Sequence, residues 1–345
     1  MKSRGLVVPR ARGEELRRQL ISEGLLRTDL EILREGGSIV LPLSEGGDVP
    51  SDLGPVEERE FEVRRKPGPR DYRELTGLPP AAAALLPRSF DVIGEIVLIR
   101  VPDTLESEKG RIGEALLAFV PGVRIVGADR GVHGTDRRRK IERIAGAGGW
   151  RTLHRENGVD IEVDVEAAYF SPRLAREHAR VAGMTQTGER VYDLCCGVGP
   201  FSLTLARDRR AAEIVAVDSN TSAIDLLDAS LLRLPGRDRV RSVRRPLEEF
   251  LPSAPPVERV IFNLPLEGIK YLPSVARTVA RRGHLHYYEV VPRAQLALRK
   301  ESMMRSLGTD DDWALEDEHI VHPYSPTSDL WAFVVRRSPT GGPSA

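Results

Sequence analysis

Apolar and polar positions along this chain recur with two periods, one helical and one alternating, and the switches between them predict its elements. Between Arg12 and Gly24 the residues Leu16, Leu20 and Ile21 share one helical face, and Gly24 supplies a stop. Leu30 to Leu33 and Ser38 to Leu43 flank Glu35-Gly36-Gly37 and read as a hairpin. Ser44 to Gly54, rich in Gly, Ser, Asp and Pro, is a loop, and Glu57 to Arg65, with Phe61 and Val63 alternating, reads as a closing strand. Further on come a strand run from Ser89 to Arg100, a helix from Thr104 to Phe119 and another strand from Pro121 to Val126. Beyond residue 166 the pattern alternates regularly. Apolar strands are expected at Val191 to Leu194, Glu213 to Val217, Val260 to Pro265, Gly283 to Val290 and Asp329 to Arg336, with a helix through Val275 to Arg281. Alternation of this kind implies a mostly parallel sheet with both faces covered by helices.

A chain of 345 residues accommodates two or three domains. The pattern divides it into a small α/β unit at 1–66, a linker at Lys66-Pro-Gly-Pro-Arg70, a second α/β unit at 71–165 and an α/β domain at 166–338. The tail from Ser338 to Ala345 has little to order it. Lys plus Arg and Asp plus Glu both number 51, so the whole chain exerts no net electrostatic pull. Locally the balance differs. Between Gly134 and Arg155 seven cations (Arg137, Arg138, Arg139, Lys140, Arg143, Arg151, Arg155) face Asp136 and Glu142, a net +5. This stretch reads either as a solvated loop and helix face or as a surface for a phosphate-bearing substrate. The two cysteines, adjacent at 195 and 196, exclude a disulfide framework and a four-cysteine zinc site; they read as small packing residues, and no metal site is expected. No apolar run reaches the length of a membrane span and no signal peptide opens the chain, so a cytoplasmic protein without membrane association is expected.

The chemistry gathers around Val191-Tyr-Asp-Leu-Cys-Cys-Gly-Val-Gly-Pro-Phe-Ser202. A strand, a glycine turn at Gly197 and Gly199 and a helix start form the unit at which open α/β sheets bind nucleotide-like ligands. Asp218 ends the next strand about 20 residues on, where a ribose-binding carboxylate belongs. The alternative is a plain glycine turn with a helix-capping Asp. Ser202 stands where the third glycine of a dinucleotide fingerprint would be, which disfavours a dehydrogenase. Asn263-Leu-Pro265 lies at the carboxyl end of a later strand, and so should face the same crevice.

Together with Tyr169-Phe-Ser-Pro-Arg-Leu and Phe90-Asp-Val-Ile-Gly94, the glycine turn and Asn263-Leu-Pro265 make the chain resemble the archaeal and eukaryotic-type tRNA (guanine-N1)-methyltransferases that modify position 37. The resemblance runs over nearly the whole chain. It implies a Rossmann-like class I methyltransferase domain with two smaller N-terminal α/β RNA-binding domains, S-adenosyl-L-methionine as cofactor, tRNA as partner and a monomer. Asp193, Gly197, Gly199 and Asp218 then match cofactor-binding positions. Guanine N1 carries a proton that must leave before the methyl arrives, so a general base and a cation to hold charge on O6 are needed. By the resemblance Glu177 matches the base, Arg137 the O6 stabiliser and Asn263 the residue that fixes the base edge, while Tyr169 and Pro265 match its packing surfaces. Arg173 is expected to contact RNA. Tyr169 reads equally as a core aromatic. A buried Glu177 beside a stacked base is expected to have its pKa raised.

The chain departs from the family in three places: Cys195-Cys196 in the turn, Arg244-Arg-Pro-Leu-Glu-Glu249 with no Asp for the adenine amine, and Leu266 after Asn-Leu-Pro. The alternatives are a wyosine-pathway transferase, acting by aminocarboxypropyl transfer or dual methylation, and a catalytically inactive tRNA-binding protein.

Overall fold

A computed structural model describes residues 1–46, 49–64, 68–133, 138–308 and 312–339, with the backbone alone at residues 132, 133 and 138. Lys66 and Pro67 of the expected linker, residues 340–345 of the tail and Arg137 lie outside the described residues. The chain forms two compact units, Met1–Arg70 and Asp71–Ala345.

In the first unit β1 (Lys2–Pro9), β2 (Leu33–Glu35), β3 (Ser38–Pro42) and β4 (Val56–Glu60) form a sheet in the order β2-β3-β1-β4, against which α1 (Gly13–Ser22) packs. Strand β1 escaped the sequence reading, although it buries Leu6 and Val8 in alternation. Leu16 and Leu20 enter the core, whereas Ile21 is 43% exposed: the apolar stripe of α1 is one residue narrower than its sequence suggests.

The second unit begins with a short helical turn, α2 (Pro80–Ala83), and a sheet β5-β6-β7-β8 built from Asp91–Ile93, Ile96–Ile99, Ile125–His133 and Arg138–Gly146. The expected single strand from Ser89 to Arg100 is a hairpin, because Gly94 turns at φ +53° where a Cβ would meet Thr152 Oγ1 at 2.4 Å. Helix α3 (Lys109–Phe119) covers this sheet, burying Ile112 and Leu116; the residues from Asp103 to Glu108 ahead of it wind as a 3-10 turn rather than as part of one helix. The basic stretch is not loop and helix either. Its described part forms β8 and β9 (Arg151–Glu156), and β9 pairs with β10 (Val159–Asp164) across the turn Asn157-Gly158.

After α4 (Ala175–Met184) comes a seven-stranded sheet of β11 (Arg190–Leu194), β12 (Glu213–Asp218), β13 (Val240–Arg244), β14 (Val257–Phe262), β15 (Val279–Pro292), β16 (Trp313–Pro323) and β17 (Ser328–Arg337). Their order is β13-β12-β11-β14-β15-β17-β16, parallel from β13 to β15, with β17 running against both its neighbours. Helices α5 (Pro200–Asp208), α6 (Thr221–Leu231), α7 (Leu247–Phe250), α8 (Leu272–Arg277) and α9 (Leu296–Leu307) complete the unit. The expected helix over 275–281 ends at Arg277, and Val279 already belongs to β15. Two apolar cores lie in this unit around the large sheet, one including Val191, Ile214 and Ile261 and the other Leu194, Val260 and Leu285. From central β11 the chain proceeds outward through β12 and β13, then returns to β14 on the other side. Strand order reverses there, so a crevice opens at the carboxyl ends of β11 and β14.

Candidate active site

The crevice is built from the turn after β11. Val191 and Leu194 are fully buried in the middle of the sheet, which leaves the chain no freedom until it passes Leu194. Cys195 and Gly197 then take positive φ angles of 59° and 55°, and the Cys196 N–H donates to Val217 O at 3.0 Å. A Cβ at Gly197 would meet only Tyr169 O, at 3.6 Å. Gly197 thus keeps a backbone edge open at the crevice wall. Asp218, at the end of β12, accepts from the Gly197 N–H through Oδ2 and from the Asn220 N–H through Oδ1, both at 2.8 Å. Asn220 in turn caps α6 and donates through Nδ2 to Ala167 O, tying the segment ahead of Tyr169 to the turn.

Gly197, Asp218, Tyr169, Asn263 and Pro265 all line this one crevice. Two of the expected cofactor residues do not. Gly199 faces α6: at φ +73° its absent Cβ would lie 2.4 Å from Leu227 Cδ1, so the glycine serves close helix packing. Asp193 is 1% exposed and turned inward, its Oδ2 accepting from the Ser202 N–H at 3.1 Å and the Ser202 hydroxyl at 2.7 Å. Burial pushes its carboxyl up to about 7, against the pull of those hydrogen bonds. Both residues shape the cradle from behind.

Glu177 departs further from expectation. Its side chain is 4% exposed and is absent from the crevice wall, although its neighbour His178 lines it. Arg180 grips the carboxylate through Nε and Nη2, each at 3.0 Å, Tyr288 donates its hydroxyl at 2.7 Å, and His319 Nε2 lies 2.9 Å away. Burial pulls this carboxyl up, but the hydrogen bonds from Arg180, Tyr288 and His319 outweigh it and hold it below the usual range. The expected upward shift considered burial without these donors.

Arg173 pairs with Asp91 of β5 at 2.8 Å and keeps a half-exposed side chain. Arg139, another member of the arginine triplet, is buried; it pairs with Asp129, donates to Phe170 O at 3.0 Å and sits 5.0 Å from the ring centre of Tyr169. That geometry fixes Tyr169 as part of the wall. His178 was missed by the sequence reading too. Its Nδ1 lies 2.6 Å from Glu156, whose carboxyl burial would raise but which His154 and His178 together bring down to about 2. A buried carboxylate paired to a histidine 22 residues away leaves no signature in sequence. Tyr324 and His322 close the far side of the crevice from the β16–β17 turn.

The chain resembles known proteins along most of its length. Residues 152–310 match the TRM5/TYW2 methyltransferase domain, residues 5–49 the tRNA methyltransferase 5 N-terminal domain and residues 74–149 the TYW2 N-terminal domain. The chain is 36% identical over 287 residues to the tRNA (guanine(37)-N(1))-methyltransferase Trm5b of Pyrococcus abyssi, covering 83% of each. The chain belongs to the Trm5 methyltransferase family. Among solved structures of this family, that of wild-type Trm5b from Pyrococcus abyssi superposes with a TM-score of 0.76 at 31% identity, over 97% of this chain and 99% of that one. The complex of aTrm5 with tRNALeu superposes with a TM-score of 0.74 at 27% identity, over 96% and 99%. As a Trm5-family fold, the second unit carries a class I, S-adenosylmethionine-dependent methyltransferase sheet, and an open glycine edge at Gly197 and the Asp218 carboxylate line its crevice.

Proposed function

We propose that the protein transfers a methyl group from S-adenosylmethionine to N1 of guanosine 37 in tRNA, acting as a cytoplasmic monomer. The observation that carries this reading is the convergence of Gly197, Asp218, Asn263 and Tyr169 on one crevice in a Trm5-family chain. S-adenosylmethionine, when bound, supplies an electrophilic methyl group. Gly197 and Asp218 would hold it, the Asp218 carboxylate accepting from the ribose hydroxyls.

This chain's own residues do the rest. The target base leaves its stack at a cost of a few kcal/mol, which contacts elsewhere offset. Tyr169, held flat by Arg139, and Pro265 give the extruded purine apolar faces, and the Asn263 amide reads its edge. Glu177 takes the N1 proton, while Arg137 is assigned to O6 on the strength of the family motif alone. Three α/β segments, 1–66, 71–165 and 166–338, serve as a tRNA-recognition domain, a middle RNA-binding domain and the methyltransferase domain, with Arg173 meeting the RNA.

The test is nucleoside mass spectrometry on a guanosine-37 tRNA transcript incubated with protein and cofactor. The expected product is 1-methylguanosine at position 37. An aminocarboxypropyl mass, or an unmodified transcript with cofactor bound, would overturn the reading.

A further inference from the structure

Each methyl moved from a sulfonium to guanine N1 leaves one proton behind: the S–C bond breaks, the N1–C bond forms, and the N1 hydrogen departs as H⁺. On the reading that Glu177 receives it, that proton sits on a carboxyl 4% exposed to solvent and must leave before the site is reset. Among the described residues three side chains hydrogen-bond to Glu177. The Arg180 guanidinium holds all its protons at any working pH and cannot accept another. The Tyr288 hydroxyl already donates to Glu177 Oε1 and is wholly buried, with no route outward. His319 is different in both respects. Its Nε2 lies 2.9 Å from Glu177 Oε2, its Nδ1 lies 3.4 Å from Asp317 Oδ2, and its side chain is 29% exposed. Asp317 is 47% exposed and is held in place by Arg180 Nη1 at 3.1 Å.

We propose that His319 is the proton exit of the active site, relaying the proton from Glu177 to Asp317 and solvent. Protonated Glu177 gives its proton to Nε2 of a His319 that carries hydrogen on Nδ1. The resulting imidazolium gives up the Nδ1 proton to Asp317 or water, leaving Glu177 ionised and His319 as the Nε2–H tautomer that donates to it; exchange with solvent at the partly exposed ring then returns the hydrogen to Nδ1 for the next turnover. Nothing is oxidised or reduced, and one proton enters and leaves. Among the described residues, the titratable and charged groups facing His319 are Glu177 and Arg180 from α4, Asp317 from its own strand, and Tyr288 and His286 from β15; His286 is entirely buried and holds Arg259 through Nε2, off the path. On β17 the residue opposite His319 is Ala332, which carries no proton. His319 touches no substrate and acts through Glu177.

The experiment is a single turnover of the full-length protein on guanosine-37 transcript, with methyl transfer followed by quenching and proton release followed by a pH-indicator dye. In the unsubstituted protein the two signals should keep step. In His319→Ala and His319→Gln proton release should lag methyl transfer by about tenfold or more. Added imidazole should close the gap in His319→Ala and not in His319→Gln, where the amide fills the space. Proton release in step with methyl transfer in both variants overturns the relay, and so does loss of both signals that imidazole fails to restore. Glu177→Gln separates the underlying reading: methyl transfer at the unsubstituted rate in that variant removes Glu177 itself as the proton acceptor, whatever His319 does.

Discussion

Glu177 shows how far a single residue can be read from sequence. Its place one turn into α4, eight residues after Tyr169, follows from the motif; its restraint does not, because Tyr288 and His319 arrive from strands more than a hundred residues downstream. A shorter gap of 22 residues was enough to hide the pairing of His178 with Glu156, while Asn263 and Asp218 were legible because each stands at the end of a strand whose apolar run points to the crevice. Tyr288→Phe tests the restraint. Burial raises the Glu177 carboxyl and three donors lower it, so losing one donor while burial remains moves its pKa upward. A base works only when ionised, so its rate falls as pH drops through that pKa. The acid limb of the methyl-transfer rate should therefore shift to higher pH in Tyr288→Phe, slowing the reaction roughly three- to tenfold on the acid side and little on the alkaline side. A pH–rate profile under single-turnover conditions reads this directly; an unmoved limb would mean the Tyr288 hydroxyl does not bear on the proton acceptor.

At the scale of elements, the turn between β11 and α5 carries two glycines with opposite duties. Sequence spacing treats Gly197 and Gly199 alike, since both need positive φ, and only the packing tells them apart. Gly199→Ala drives a methyl against Leu227 of α6 at a backbone angle side chains avoid, and should destabilise the protein by about 1–3 kcal/mol in denaturant unfolding. Gly197→Ala places its methyl toward the crevice, so cofactor affinity measured by calorimetry should fall more than stability does. If both variants lose stability equally and bind cofactor alike, the division of duties is wrong. One element misread from sequence has a plain cause. Arginine-rich β8 hid its alternation because Arg139 buries its charge against Asp129 and Phe170, where an apolar residue would have signalled a strand.

For the whole molecule, the large sheet's alternation of strand and helix was plain in the chain, but its order was not: nothing local says that β17 inserts between β15 and β16. The two compact units have separate cores, Leu6, Val8, Leu16 and Leu41 in the first and the sheet-centred clusters in the second. Scanning calorimetry should accordingly resolve two transitions, of which cofactor raises only that of residues 71–345. A single transition raised as one would contradict the independence of the cores. The two thiols of the glycine turn have a practical corollary. Both line the crevice, but burial lifts the Cys196 thiol well above its ordinary value and leaves it inert, whereas Cys195 is only half-buried. Alkylation of an enzyme with only these two cysteines should therefore stop at one adduct, on Cys195, and slow as donor fills the crevice, making a simple mass shift a gauge of occupancy that needs no RNA at all.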